Sequence, residues 1–526
     1  MTFASLYFIF FIITVCTLYF AVPDGMKWIV LLISSYFFYF LLSSVWTVFI
    51  LFTTATVFIS AIAIERITEH STEYLNKNKE LMDEEQVKAY KAKTKRIKKY
   101  TLLCGLFANL GILIFLKYGK FLFENINLST THIASLNWII LPVGISFYTF
   151  QALGYLIDVY RGKYKADHNF FKFSLFLSFF LQIIQGPISR YDELALQLYK
   201  PHRFYYARAQ NGILLMLWGY FKKLVIADRA ALYTSMVFEN YIEYAGIEII
   251  LAAILYTLQI YGDFSGGIDI IRGIAQILGI DMALNFKRPF FARTVSEFWR
   301  RWHISLGSWT KDYIFYPLIL SKGFARFRKQ MGNALGHYLG KTIPVCVSTI
   351  ILFLVIGIWH GASWNYVFYG LCNGGIISLG LLLEPVFDKV IKITRLNTGS
   401  RAWSVFQMIR TFVVLSIVRM IVNAKSLSAG FSMLVSIGRD WGNMNALKKA
   451  IIASGMGKWG AVVLFTAALV MLLVEVLQEN GIHIRESISR QNVIVRWITY
   501  YGLIFAILFF MMDSSDGIKE FIYAQF

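Results

Sequence analysis

Charge is scarce in this chain: 16% of its 526 residues are Asp, Glu, Lys or Arg, against about 25% in an ordinary soluble domain. Cysteine is scarcer still. Cys16, Cys104, Cys346 and Cys372 lie singly in apolar runs with no Cys-x-x-Cys pair. That excludes a secreted disulfide framework, and the four are expected to be small buried hydrophobes. Acidic residues number 31 against 51 basic ones, leaving a net charge of +20. No Walker A loop and no Gly-x-Ser-x-Gly elbow is present, so nucleotide-loop and serine-hydrolase chemistry have no foothold. No internal repeat is visible, which counts against the many transporter folds built from two related halves.

What the chain does have is apolar mass. Hydrophobic residues make up 57%, and Phe, Tyr and Trp together 17%. Lipid, not water, is the solvent such a composition suits, and a soluble enzyme or a disordered chain is excluded. The basic excess does not imply nucleic acid. It sits in short clusters between long apolar runs, the pattern that fixes membrane topology. The partner it implies is the lipid bilayer, and the location a cell (plasma) membrane crossed many times.

A membrane span needs about 20 mostly apolar residues. Candidate segments are 3–22, 26–42, 45–65, 101–115, 138–160, 170–185, 212–226, 247–261, 343–359, 366–383, 405–422, 461–476 and 495–512. Eleven to thirteen membrane helices are expected, the shorter runs being open to a buried or re-entrant reading. The first is followed at once by further spans, so it reads as a retained helix and not a cleaved signal. The polar stretch 66–100, with Lys88, Lys91, Lys93, Lys95, Arg96, Lys98 and Lys99, reads as a cytoplasmic helical hairpin or loop. Three spans precede it, which puts the N-terminus outside. The basic stretch 388–401 is the one linker-like segment. The chain is expected to be a single membrane-embedded domain over 1–526, with a core of about 1–387 and a C-terminal helical extension of about 403–526.

Six of eight histidines, His70, His132, His168, His202, His337 and His483, lie among polar loop residues and are expected at the surface. His360 differs. It ends the charge-free run 345–359 within Gly357-Ile358-Trp359-His360-Gly361-Ala362-Ser363-Trp364. An ionisable group at membrane depth is costly and points to function. A buried, neutral imidazole can take a proton from a hydroxyl. The flanking glycines leave room for a substrate or for close helix approach. His303 is the second candidate, in Glu297-Phe298-Trp299-Arg300-Arg301-Trp302-His303-Ile304-Ser305-Leu306. Aromatic and basic residues interleave there as in an interfacial amphipathic helix or a broken helix. With Lys287, Arg288 and Arg293 upstream, the cluster suits an anionic, partly apolar ligand such as a phosphate-bearing acyl carrier. No third and fourth ligand accompanies the two histidines, so no metal is expected. Gly262-Asp263-Phe264-Ser265-Gly266-Gly267 follows an apolar helix and not a strand, which rules out a nucleotide loop.

Taken in order, these motifs resemble the membrane-bound O-acyltransferase family. They are Gln185-Gly186-Pro187-Ile188-x-Arg190, Asp263-Phe264-Ser265-Gly266, Asn285-Phe286-x-x-Pro289-Phe290, the His303 motif, Trp309-x-x-Asp312-Tyr313-Ile314 and the His360 motif. The resemblance is dense over 180–370 and is nearest to the bacterial alginate O-acetyltransferase-type branch, whose ending 521–526 also resembles. Gly266-Gly267-Ile268-Asp269 and Leu318-Ile319-Leu320-Ser321 depart from that branch, leaving the class intact and the acceptor open. The resemblance implies an all-α polytopic protein, a ring of membrane helices around a central funnel. His360 would be the principal catalytic residue, with His303 assisting or positioning the acyl group. Asp263, Ser265, Asn285, Trp299, Arg300, Arg301, Trp302, Trp359 and Trp364 would meet substrate. Ser305, Ser363 and Asn365 are possible oxyanion donors.

No bound cofactor is implied. The acyl donor would be acetyl-CoA or an acyl-phosphopantetheine carrier as co-substrate, and the acceptor a hydroxyl of a cell-envelope or extracellular polysaccharide. An extracytoplasmic esterase-like partner is implied, or an acyl carrier protein if the reaction is D-alanyl transfer to teichoic acid. A lipid-linked sugar transporter or flippase is the reading from another class. It asks for charge pairs inside several spans, and Arg410 and Arg419 show no matching acid in the sequence.

Overall fold

The computed structural model describes residues 5–125 and 141–511. His132, the ends of the runs 3–22, 138–160 and 495–512, and the 521–526 ending lie outside those residues. Among the described residues the structure is helical, and the one β contact is an isolated bridge between Phe286 and Trp302. Among the described residues, eight helical stretches are long and apolar enough to cross a membrane: Asp24–Lys77, Glu84–Asn125, Ile247–Ile277, Lys322–His360, Trp364–Leu382, Arg401–Asn423, Gly457–Glu479 and Val493–Phe510. Leu6–Ala21 and Leu427–Ser436 are shorter apolar helices. The protein is an all-α, multi-pass membrane protein.

The chain divides into two compact units. The first comprises Met1–Ala209 and Ile274–Met282. Asp24–Lys77 holds two of its helices, Lys27–Ser43 and Thr47–Lys77, parted where Ser44 takes a positive φ of 39°. The polar stretch 66–100 is a helical hairpin: Thr47–Lys77 runs on into it, and Glu84–Asn125 returns. Tyr74 stacks on Tyr90 at 4.6 Å, and Ser71 and Thr94 share a hydrogen bond of 3.1 Å. The run 170–185 is not one helix. Phe170–Ser178 is helical, and buried turns follow. The cause is polar: the Gln151 amide donates to Phe176 O at 2.9 Å, the Gln182 amide donates to Gln151, and Phe180 N donates to the Ser35 hydroxyl at 3.2 Å. Gly144, at φ 75°, admits no side chain, since a Cβ there would lie 1.9 Å from Ile183 O.

The second unit comprises Gln210–Gly273 and Ala283–Phe526. The run 212–226 belongs to a longer helical stretch: Tyr206–Tyr220, a π-helical turn Phe221–Ala227, then Asp228–Glu239. It packs on Ile247–Ile277 through a glycine seam. A Cβ on Gly219 would lie 2.5 Å from Gly266 O, and one on Gly273 2.5 Å from Gly212 O. The Gly262–Gly267 run is thus helix interior, with small residues that let two backbones meet. Of the linker-like 388–401, residues up to Thr394 continue the helix Glu384–Thr394, leaving a short connection before Arg401–Asn423.

The expectation that all four cysteines are buried fails. Cys346 is buried, Cys16 and Cys372 are half-buried, and Cys104 is exposed on the protein surface. A thiol on a membrane helix is apolar enough to face lipid. His202 is not a free surface group either. Its ring bonds Gln197 O at 2.9 Å, and its backbone N–H donates to the Tyr19 hydroxyl at 3.3 Å.

Candidate active site

All of the histidine site lies within the second unit. The 297–309 segment is a broken helix and not a continuous amphipathic one. Thr294 caps Val295–Arg301 by accepting from Glu297 N, and Ile304–Thr310 follows. His303 sits at the break with φ 47° and ψ 51°. A non-glycine residue pays for that left-handed conformation, so its surroundings must hold it there. Segment 285–287 does so. Lys287 N donates to Arg301 O at 2.9 Å, and Ile304 N donates to Asn285 O at 3.0 Å. The Asn285 carboxamide oxygen accepts from Ser305 N at 3.0 Å and from the Ser305 hydroxyl at 2.9 Å, and it lies 3.4 Å from His303 Nδ1.

An amide oxygen only accepts. His303 Nδ1 therefore carries the proton, and Nε2 is the basic nitrogen. The imidazole is 1% exposed. Burial holds its pKa well below the ordinary histidine value, and the neighbouring His360 lowers it further. His303 is neutral at physiological pH.

His360 arrives from the other side of the site, as the last residue of Lys322–His360, and is also buried. The glycines around it serve close helix approach. A Cβ on Gly357 would lie 2.2 Å from Tyr366 O, and one on Gly361 2.3 Å from the Tyr366 ring. Gly370 meets Phe353 O in the same way, so Trp364–Leu382 lies tight against the end of the His360 helix. The two imidazole centroids are 6.5 Å apart. Phe264 lies 4.9 Å and Trp359 5.8 Å from the His303 ring; Tyr369 lies 5.7 Å and Tyr366 6.2 Å from the His360 ring. The result is a pair of imidazoles inside an aromatic wall.

The other predicted site residues divide. Trp299 is buried, and its indole N–H donates to Asn373 Oδ1 at 3.0 Å. Trp302 is buried under the Arg419 guanidinium, 4.4 Å from its ring centre, and Arg419 also covers Phe298 at 5.1 Å. Arg419 is thus balanced by aromatic faces, and Arg410 donates to Arg293 O at 2.8 Å. Trp359 is buried beside His360, whereas Trp364 is 58% exposed. Arg301 binds Glu297 and Glu479 at 2.9 Å each, and Arg288 also binds Glu479. Arg300 is exposed, and its guanidinium donates to the Ser296 hydroxyl one turn back at 3.3 Å. Of the three proposed oxyanion donors, Asn365 gives its amide to Val422 O and Ala424 O, and Ser305 gives its hydroxyl to Asn285. Asn285 Nδ2 is buried with no hydrogen-bond partner among the described residues.

Asp263 and Ser265 do not stand alone. Lys223 bridges Asp263 at 2.6 Å and Asp228 at 2.8 Å; Lys222 binds Asp269 at 2.7 Å and the Ser265 hydroxyl at 2.9 Å. The Tyr261 hydroxyl donates to the Glu475 carboxylate. Buried charge pairs therefore do exist in this protein, and the sequence reading missed them. The signal was available: two lysines inside an apolar run, and one glutamate inside another, are ionisable groups at membrane depth.

The chain is similar in sequence to several known proteins. Residues 165–332 match the model of MBOAT, the membrane-bound O-acyltransferase family. That match takes in Asp263, Asn285 and His303. A probable alginate O-acetylase, AlgI, of Pseudomonas syringae pv. tomato is 31% identical over 347 residues, 65% of this chain and 61% of that protein. The peptidoglycan O-acetyltransferase of Helicobacter pylori is 32% identical over 320 residues, covering 56% and 57%. The teichoic acid D-alanyltransferase of Bacillus subtilis is 27% identical over 241 residues, covering 45% and 58%. The chain matches about three fifths of the length of these relatives. By its motifs, its helical membrane fold and these matches, the chain resembles the membrane-bound O-acyltransferase family.

Proposed function

We propose that the protein transfers an acyl group, acetyl in the first instance, from a thioester donor to a hydroxyl of a cell-envelope or extracellular polysaccharide. The observation that carries this reading is the pair of buried imidazoles 6.5 Å apart inside an aromatic wall. The polysaccharide O-acetylation named for two relatives supports the acceptor class.

His360 acts as the general base. It takes the acceptor's hydroxyl proton as the oxygen attacks the thioester carbonyl, then returns that proton to the thiolate as the carbon–sulfur bond breaks. Ester and free thiol are the products. His303, neutral and locked in one tautomer, positions the acyl group between Phe264 and Trp359. The Asn285 amide donates to the developing oxyanion, a role worth about 10²–10³ in rate. A thioester is already activated, so the step as drawn uses no ATP.

The donor, acetyl-CoA or an acyl-phosphopantetheine carrier, approaches from the cytoplasm, and the acceptor lies outside, reached with an esterase-like extracytoplasmic partner. Exposed Arg300 is the group that meets donor phosphates. Arg288 and Arg301 hold Glu479 and shape the same face. The N-terminus lies outside and the 66–100 hairpin inside, on the positive charge of that hairpin. Labelling of single cysteines in sealed vesicles tests this, and reaction of the hairpin from the external face would reverse it. The D-alanyltransferase relative favours a second reading, D-alanyl transfer to teichoic acid. Membranes supplied separately with labelled acetyl-CoA and labelled D-alanyl carrier protein decide between them. The proposal expects ester-linked label from the first, abolished in His360→Ala at normal protein level. Label from neither donor, or full activity in His360→Ala, would refute it.

A further inference from the structure

A slot of about 580 Å³ lies within the second unit, apart from the histidine site. Its walls come from Tyr206–Tyr220 with the π-helical turn, Gly457–Glu479 and Val493–Phe510. Most of the lining is apolar, Leu215, Phe221, Val462, Leu503 and Phe510 among it. Apart from Thr466, the polar lining gathers at one end, where Gln478, Arg485 and Thr499 stand. From Val462 to Gln478 the wall helix rises about 24 Å, within the roughly 30 Å of a bilayer's hydrocarbon. The slot is therefore long, apolar and tipped by a cation.

The charge at that end is not a single group. Arg485 lies near Arg272, and the opposing carboxylates are Glu486 and Asp269, the latter already bound by Lys222. Arg485 also donates to Asn211 O at 3.0 Å, which fixes it at the mouth. Arg496 stands one helical turn before Thr499, at the same end of Val493–Phe510 but just behind the slot's lining. Its Nε is buried with no hydrogen-bond partner among the described residues. A buried guanidinium nitrogen without an acceptor calls for an anion. Gly502 lines the slot midway, and a Cβ built on it meets nothing within 4 Å.

We propose that this slot binds one acyl chain of an anionic glycerophospholipid, with the lipid phosphate held at the Arg485–Arg496 end. Charge complementarity commits the occupant: a zwitterionic headgroup would bring its own cation to the arginine end beside its phosphate, whereas an anionic glycerophospholipid brings net negative charge. Basic residues beside a membrane surface favour anionic lipid in just this way. The slot also shares a wall with the catalytic scaffold. Phe221 and Val225 face it from the π-helical turn whose Lys222 and Lys223 hold Asp269 and Asp263. A seated lipid therefore braces that turn. This inference does not depend on which acyl group the enzyme transfers.

The full-length protein, delipidated in mild detergent, is titrated with phosphatidylglycerol or phosphatidylcholine. Adducts are read by native mass spectrometry and stability by thermal unfolding. Phosphatidylglycerol adducts should appear at roughly tenfold lower lipid than phosphatidylcholine adducts, with a rise in Tm. Gly502→Phe fills the slot and should remove the adduct, and Ala506→Phe does the same from the next turn. Arg485→Gln with Arg496→Gln should erase the preference for the anionic lipid, and Arg490→Gln, nearby but not lining, should keep it. Equal retention of the two lipids overturns the proposal. So does an undiminished phosphatidylglycerol adduct in whichever slot-filling variant is folded. Absence of adducts with either lipid, as a slot closed by another protein segment would give, overturns it too.

Discussion

The two histidines reach one site by opposite means. His303 is held by hydrogen bonds: a short backbone pairing with segment 285–287, a side-chain amide on its ring, and a positive φ that its neighbours enforce. His360 is held by shape, at the end of a long helix that glycines let settle against Tyr366 and the next helix. The first arm breaks when a polar partner is lost, the second when a carbon is added. A reacting group therefore needs a fixed place, and polar networks and bare packing supply it equally well.

The largest effect should come from His360 itself. His360→Ala and His360→Gln should each lose about 10²–10⁴ in acyl transfer, the worth of a general base. Ester-linked acyl content and the protein recovered in detergent are measured side by side, and His303→Ala should lose less. Asn285→Ala comes next, at about 10²–10³ in kcat. If Asn285 merely orders the loop, the loss should follow protein yield and not kcat.

Gly357→Ala breaks the other arm. Its methyl has no room beside Tyr366 O, so about 1–3 kcal/mol of stability should be lost, as in overpacked cores. The surviving folded fraction should keep most of its kcat. Equal damage to kcat in Asn285→Ala and Gly357→Ala would erase the contrast between the arms.

The smallest effect is on pH. His303 folds with a depressed pKa, so the fold favours its neutral form. Its contribution is fully present above about pH 6.5, the unfolded value, and is lost as pH falls below it. The slope should reach at most about 1.4 kcal/mol per pH unit. Thermal unfolding between pH 7.5 and 5 should show it, and His303→Gln should flatten it.

His360 was legible in the sequence because a charge-free run ended on it, and His303 because aromatic and basic residues crowded round it. The motif order pointed to the family that residues 165–332 match. The ion network was not legible. Lys222 and Lys223 find Asp269 and Asp263 some forty residues on, and nothing local pairs them. The 170–185 run misled because hydropathy does not separate a membrane helix from apolar turns held by buried glutamine amides. The acidic partner of the arginine cluster was hidden for a similar reason. Arg288 and Arg301 look available until Glu479, far along the chain, closes on both.

The π-helical turn Phe221–Ala227 has a consequence for chain length. Such a turn is an α-helix carrying one surplus residue. Removing any one of the seven would let the helix regularise with its two ends still in register, and the residues inside the turn would move round to new positions. Lys222 and Lys223 lie inside the turn, so their reach to Asp269, Asp263 and Asp228 would be lost first. The spacing between Tyr220 and Asp228 is thus counted, residue by residue, whereas the short connection near Gly399 bears no such count. In a scan of single-residue deletions, 221–227 should tolerate none and 396–399 should tolerate most.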